Sequence, residues 1–164
     1  MEIEVSVILP CLNEEETIGI CIRKATECFK KNSICGEVIV VDNGSTDSST
    51  EKAKSEGAQL IFEKNRGYGS ALRAGIESAH GKYIVIGDAD DTYDFLEIDK
   101  FVELLREGYD LVMGSRFKGE ILRGAMSWSH KYIGNPILSG MLNLFFHGRI
   151  SDAHCGLRAF TKQA

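Results

Sequence analysis

The spacing of apolar positions along this chain switches repeatedly between two periods. Runs at residues 5–9, 37–41, 59–62, 83–86 and 110–113 are short, β-branched and almost continuously apolar, which predicts strands buried on both faces. Between them the period lengthens. Ile18, Cys21, Ile22, Ala25 and Phe29 recur at the spacing of one buried helical face, and Asn13 with Glu16 three residues on predicts the N-terminal cap of that helix. Leu72, Ile76 and Ala79 mark a second helix. Ile98, Phe101, Val102 and Leu105 mark a third, closed by Gly108. Strand and helix alternate, so the predicted fold class is α/β, a mostly parallel sheet flanked by helices on both faces. No internal repeat, low-complexity tract or linker precedes residue 115.

A length of 164 residues suits one domain. With 19 Lys plus Arg against 24 Asp plus Glu the net charge is −5, which argues against a polyanion-binding surface and so against nucleic acid as a partner. The five cysteines form no CxxC pair and leave one over, a usage that suits a reducing compartment. The acidic start MEIEVSVILP lacks the basic segment of a secretion signal. No uninterrupted apolar run reaches the roughly 18 residues of a spanning helix. The nearest is 132–146, broken by Gly, Asn, Pro and Ser and preceded by Trp128, His130 and Lys131. It reads either as a buried helix or, the favoured expectation, as an interfacial segment with aromatic and basic residues at headgroup level.

In open α/β sheets ligands sit beyond the carboxyl ends of the strands, and here each predicted strand end but one carries small or acidic groups. Strand one runs into Pro10, Cys11, Leu12, Asn13 and Glu14, strand two into Asp42, Asn43, Gly44, Ser45, Thr46 and Asp47, strand four into Asp88, Ala89, Asp90 and Asp91, and strand five into Gly114, Ser115 and Arg116. Such a rim suits a nucleotide with a divalent cation. Asp88 and Asp90 lie on one side of an extended segment, where both can face one Mg²⁺ or Mn²⁺. A solvated acidic turn is the plainer alternative.

Asp42 stands where it can accept hydrogen bonds from a base or ribose, while Gly44 permits a positive φ and Ser45 or Asp47 caps a helix. The stretch NRGYGSAL follows strand three and lacks the third glycine of a dinucleotide fingerprint. Arg66 within it stands at a helix start, to meet an anion or to lie in solvent. Arg116 and Arg158 suit phosphate contacts, with surface ion pairs as the alternative. The histidines His130, His147 and His154 match no zinc spacing, and Cys21 and Cys28 are expected in or near the core.

Taken in order, VSVILPCLNEEETI, VIVVDNGSTDSS, NRGYGSALRAGI, YIVIGDADDTYDF, DLVMGSRFKG and ISDAHCGLRAF resemble the inverting nucleotide-sugar glycosyltransferases of family two, and within them the dolichol-phosphate mannose synthase-like branch. The resemblance implies a GT-A, Rossmann-like fold. It implies donor contacts from Pro10, Asn13, Glu14, Asp42, Gly44, Ser45, Arg66 and Asp88, metal held by Asp88 and Asp90, and an acceptor phosphate held by Arg116, Arg123 and Arg158. Where that branch often continues with Leu-Gln, this chain has Asp91-Thr92, a departure that leaves a third protein ligand and the donor open.

On this reading residues 1–118 form the nucleotide-sugar core and 119–164 an acceptor-side segment of the same catalytic domain, truncated at its C-terminus and working at the cytoplasmic face of a membrane. Asp90 and Arg116 are candidate catalytic residues; hexose would pass from a UDP- or GDP-sugar to a polyprenyl or dolichyl phosphate, whose oxygen is anionic already and needs no general base, so the arginines matter more than a catalytic carboxylate. A sugar-hydroxyl acceptor would need one, with Asp91 or Asp152 as candidates. A sugar nucleotidyltransferase fits less well, because PCLNEEE stands where its Gly-rich basic loop would follow strand one. A non-catalytic nucleotide-binding domain is the remaining alternative.

Overall fold

The computed structural model describes residues 2–115, 135–146, 152 and 155–163. Six strands form one sheet: β1 Val5–Cys11, β2 Gly36–Asp42, β3 Gln59–Phe62, β4 Tyr83–Ile86, β5 Leu111–Met113 and β6 Arg158–Thr161, in the order β3-β2-β1-β4-β6-β5. β1 pairs in parallel with β2 and β4, and β2 with β3, whereas β6 runs antiparallel to β4. The five expected strands all form. β6 was not foreseen, because its sequence Arg-Ala-Phe-Thr is not the continuous β-branched apolar run that marks β1, β2 and β4.

The helices in the order of the chain are α1 Ile18–Lys31, α2 Ser49–Ser55, α3 Tyr68–Ser78, α4 Ile98–Arg106 and α5 Asn135–Phe146. α3 packs on β1 and β2, where Ile8, Ile39, Val41, Ile84 and Ile86 meet Ala71 and Ala79 in one buried cluster. Alternate strand residues point the other way. Val7, Leu9, Val38, Val40 and Val85 are buried too, as a sheet covered on both faces requires. α1 touches β2, α2 and α4 and buries the expected Ile18, Cys21, Ile22, Ala25 and Phe29. Phe29 packs so closely on Gly36 that a Cβ there would lie 2.5 Å from its ring.

One expectation needs correcting. Asn13 does not cap α1, which begins after Thr17. Asn13 has φ +60°, and its carboxamide oxygen accepts instead from the Thr46 N–H at 2.8 Å, so a local cap gives way to a bond between loops.

Contacts divide the chain into two units, Met1–Val112 with Leu157–Ala164, and Met113–Gly156. Residues 157–164, grouped in the sequence reading with the acceptor-side segment, join the sheet because β6 pairs with β4. In the second unit α5 exposes Leu138, Met141, Leu144 and Phe145. Among the described residues no helix is long and apolar enough to cross a membrane. Tyr132, Trp128, His130 and Lys131 lie outside the described residues.

Candidate functional site

The sheet order reverses beside β1: the chain passes from β1 outward to β2 and β3, then returns to place β4 on the other flank of β1. The crevice beyond the carboxyl ends of strands at such a reversal is where open α/β sheets bind ligands. The loops after β1, β2 and β4 rim it, and they carry most of the residues singled out from the sequence.

Asp42 ends β2 opposite Cys11 of β1 and is 5% exposed. Its carboxylate folds back on its own loop, accepting from Gly44 N–H at 3.1 Å and from Ser45 N–H at 3.1 Å. Gly44, at φ +100°, lies under the Arg66 guanidinium, whose nitrogens would stand 3.8 and 3.9 Å from a Cβ at that position. Asp42, Gly44 and Arg66 are therefore brought to one strand tip.

The loops after β1 and β2 are stitched by reciprocal bonds. Asn13 N–H donates to Ser45 Oγ at 3.0 Å, Glu14 N–H to Ser49 Oγ at 2.8 Å, Glu15 N–H to Asp47 Oδ2 at 3.1 Å, and Ser48 N–H to Glu15 Oε2 at 3.1 Å. Asn13 and Ser45 thus serve first to hold the rim, and Pro10 and Glu14 stand within the same stitched segment. Asp47 also accepts from Ser49 N–H at 3.0 Å, but neither Ser45 nor Asp47 is the cap expected from the sequence: the N-cap of α2 is Ser48, whose side chain makes no capping bond.

At the β4 tip Ala89 is buried and Asp90 exposed. The Asp88 Oδ1 accepts from the Tyr68 hydroxyl at 2.9 Å, and the Asp90 Oδ1 from Thr92 N–H at 2.9 Å. α1 anchors this acidic loop from below: Cys21 Sγ lies 3.5 Å from the Ala89 carbonyl, and Lys24 Nζ lies 2.9 Å from Asp91. Asp91 has φ +62°, which for a non-glycine residue costs energy that the Lys24 ion pair helps to offset. Burial pushes the Cys21 thiol up to about 11, which keeps it a neutral prop and not a nucleophile.

The antiparallel entry of β6 sets Arg158 opposite Ile86, two residues short of Asp88. That guanidinium bears electrostatically on Tyr68. Burial and the Asp88 charge together push the Tyr68 phenol up, opposed by Arg158, so the hydroxyl remains a donor across the working pH range. Asp152, the other candidate base, is fully buried. Arg116 and Arg123 lie outside the described residues.

Among the described residues no three His, Cys, Asp or Glu side chains converge as a metal cage. A nucleotide-bound Mg²⁺ or Mn²⁺ needs no cage, since it takes one or two protein carboxylates and completes its shell with phosphate oxygens and water. Asp88 and Asp90, each with one carboxylate oxygen committed within the protein, fit that donor set.

Sequence reading missed Asn43 and Tyr68. Asn43 is 7% exposed. Its amide donates to the Glu63 and Asn65 carbonyls at 2.9 Å each, and its oxygen accepts from Gly67 N–H at 2.7 Å, so it shapes the loop that carries Arg66 and Tyr68. The one available signal was a carboxamide following a continuously apolar strand. Two cavities of about 600 and 920 Å³ lie elsewhere, at the opposite end of the strands, lined among others by Phe29 and Gly36 and by Gly81 and Lys82.

Comparison with known proteins agrees with this geometry. Agl6 of Haloferax volcanii, a low-salt glycan biosynthesis hexosyltransferase, is 44% identical over 160 residues, 97% of this chain and 38% of Agl6. The dolichyl-phosphate hexose transferase of the same organism is 29% identical over 98% of this chain and 67% of its own. Glucosyl-3-phosphoglycerate synthase from Mycobacterium tuberculosis, solved with Mn²⁺, uridine diphosphate and glucosyl-3-phosphoglycerate, superposes with a TM-score of 0.75 at 25% identity, over 98% of this chain and 57% of that one. The chain thus spans well under half the length of Agl6. The sequence model described as Glycosyl transferase family 2 matches residues 6–164, and with the strand-tip rim, the sheet reversal and these relatives in agreement, this chain belongs to glycosyl transferase family 2 and has its GT-A, Rossmann-like fold.

Proposed function

We propose that this chain carries the donor site of a metal-dependent, inverting hexosyltransferase that moves a hexose from a UDP- or GDP-sugar to a polyprenyl phosphate, as in the dolichol-phosphate branch of the family. The observation that carries the proposal is the pairing of two strand tips across the sheet reversal, Asp42 with Arg66 on one side and Asp88 with Asp90 on the other. The first tip suits a nucleoside and the second a diphosphate. Asp88 and Asp90 would hold Mg²⁺ or Mn²⁺, which when bound supplies positive charge to the departing diphosphate.

The remaining work falls to the protein. Asp42 accepts from base or ribose donors, and Arg66 faces the anionic part of the donor. Arg158, with Arg116 and Arg123, holds the acceptor phosphate. An acceptor phosphate oxygen forms the new bond to the anomeric carbon while the bond to the diphosphate oxygen breaks, the electron pair leaving with the diphosphate and the configuration inverting. Such an acceptor is ionised at neutral pH and needs no proton removed. This accords with Asp91 being engaged by Lys24. The exposed Leu138, Met141, Leu144 and Phe145 of α5 suit a surface resting on the cytoplasmic face of a membrane, where the lipid acceptor lies.

Thermal stabilisation by a panel of UDP- and GDP-sugars with Mn²⁺ tests this. A ligand at 100 times its Kd adds about 2.7 kcal/mol to the stability of the folded state. One nucleotide class should raise the melting temperature, and Asp90→Ala should abolish both that metal-dependent rise and donor turnover. Stabilisation equal in wild type and Asp90→Ala would sink the metal assignment.

A further inference from the structure

We infer that Tyr68 is a positioning residue for the cation site, fixing the Asp88 carboxylate through its hydroxyl and tying that carboxylate to the nucleoside side of the crevice through Asn43. This rests on the proposed donor-site reading.

Three observations carry it. First, the phenol donates to Asp88 Oδ1 at 2.9 Å although the two residues come from different elements, the first turn of α3 and the loop after β4. Second, Tyr68 is itself held in place: it follows Gly67, whose N–H is bound by the buried Asn43 at 2.7 Å, and Asn43 stands next to Asp42 at the β2 tip. Third, Tyr68 is 52% exposed, so its ring contributes little to the core, and the hydroxyl contact stands out as its specific interaction. A carboxylate with one oxygen pinned presents the other in a single direction. An unpinned one must lose rotational freedom when a cation binds. The path from Asn43 through residues 66–68 to Asp88 also makes the loop that carries Arg66 and the carboxylate that faces the cation parts of one hydrogen-bonded unit.

The test is Mn²⁺ binding followed by electron paramagnetic resonance of the free ion, on the protein with Mn²⁺ alone and with UDP or GDP added in separate arms. Tyr68→Phe keeps the ring and removes only the hydroxyl. Its apparent Mn²⁺ affinity should fall about tenfold, the lower end of what losing a hydrogen-bond partner of a ligating carboxylate costs a metal site, while its urea midpoint without metal stays at the wild-type value. Because Tyr68 acts through Asp88, the loss should vanish in an Asp88→Asn background, where a double-mutant cycle gives the coupling. Tyr68→Leu, with the ring gone as well, should match Tyr68→Phe in Mn²⁺ affinity.

Unchanged or tighter Mn²⁺ binding by folded Tyr68→Phe, or an equal loss with and without Asp88, overturns the inference and leaves the donor-site reading standing if Asp90→Ala still abolishes binding. A wild-type protein that binds no Mn²⁺ in any arm overturns both.

Discussion

Gly75 lies where α3 crosses the sheet, and a Cβ there would stand 2.5 Å from Cγ2 of Ile8 and 3.0 Å from Cγ2 of Val41. Both neighbours are fully buried β-branched residues with little room to turn. Alanine is the better helix former by about 1 kcal/mol, yet overpacking a rigid core costs about 1–3 kcal/mol. Gly75→Ala is therefore expected to destabilise, with a lower urea midpoint and an unchanged slope. A higher midpoint would mean that α3 can lift off the sheet without cost. Tyr68 is two turns upstream on the same helix. At this scale the sequence was legible for placement, the acids at 42, 88 and 90 standing at the ends of their strands as expected. It was not legible for Asn43 and Tyr68, because a hydrogen bond between residues 20 or more apart leaves no mark on local spacing.

Elements are held to one another here by polar contacts as well as by apolar faces. α4 is tied to the approach to β1 by Arg106, whose Nε and Nη2 each lie 2.8 Å from a Glu4 carboxylate oxygen. The Arg106 hydrogen bond holds the Glu4 carboxyl below its usual value, aided by the charges of Arg106 and Lys82 and opposed by burial. A carboxylate lowered in the folded state stabilises it fully above its unfolded value near 4.5, and that contribution is lost as pH falls through the lowered folded value. Both side chains are partly exposed, so screening limits the pair to about 1 kcal/mol at most. Glu4→Gln should cost up to that at pH 7, and the gap between variant and wild type should close as the pH falls below the unfolded value near 4.5 and through the lowered folded one. A gap that stays constant with pH would assign the effect to packing. Strong period and length made five strands and three of the helices readable from sequence. The misplaced cap at Asn13 shows the opposite case, a residue whose local preference was overridden by a partner 33 positions away.

For the sheet as a whole, the decisive feature is that β6, more than 70 residues on from its neighbour β4, is inserted between β4 and the edge strand β5. β6 lies between β4 and β5. It pairs with β4 along its whole length from Tyr83 opposite Thr161 to Ile86 opposite Arg158, and Ala159 at its centre is fully buried. A strand supplied so late forms contacts of high sequence separation, which must await closure of a long loop. Its antiparallel direction has a geometric consequence: a parallel strand would have put Arg158 at the far end, whereas this one brings it to the edge that carries Asp88. Removing residues 157–164 should therefore expose the β4 edge and separate β5 from its neighbour, leaving an unpaired, strongly apolar strand. The expected outcome is loss of a single cooperative urea transition together with aggregation on size-exclusion chromatography, and loss of nucleotide stabilisation even where soluble protein remains. A truncated chain that unfolds cooperatively at the wild-type midpoint would show that β3, β2, β1 and β4 suffice as a folding unit. Arg158→Ala in the intact chain separates the two contributions, since it keeps the backbone ladder and removes only the guanidinium from the crevice edge.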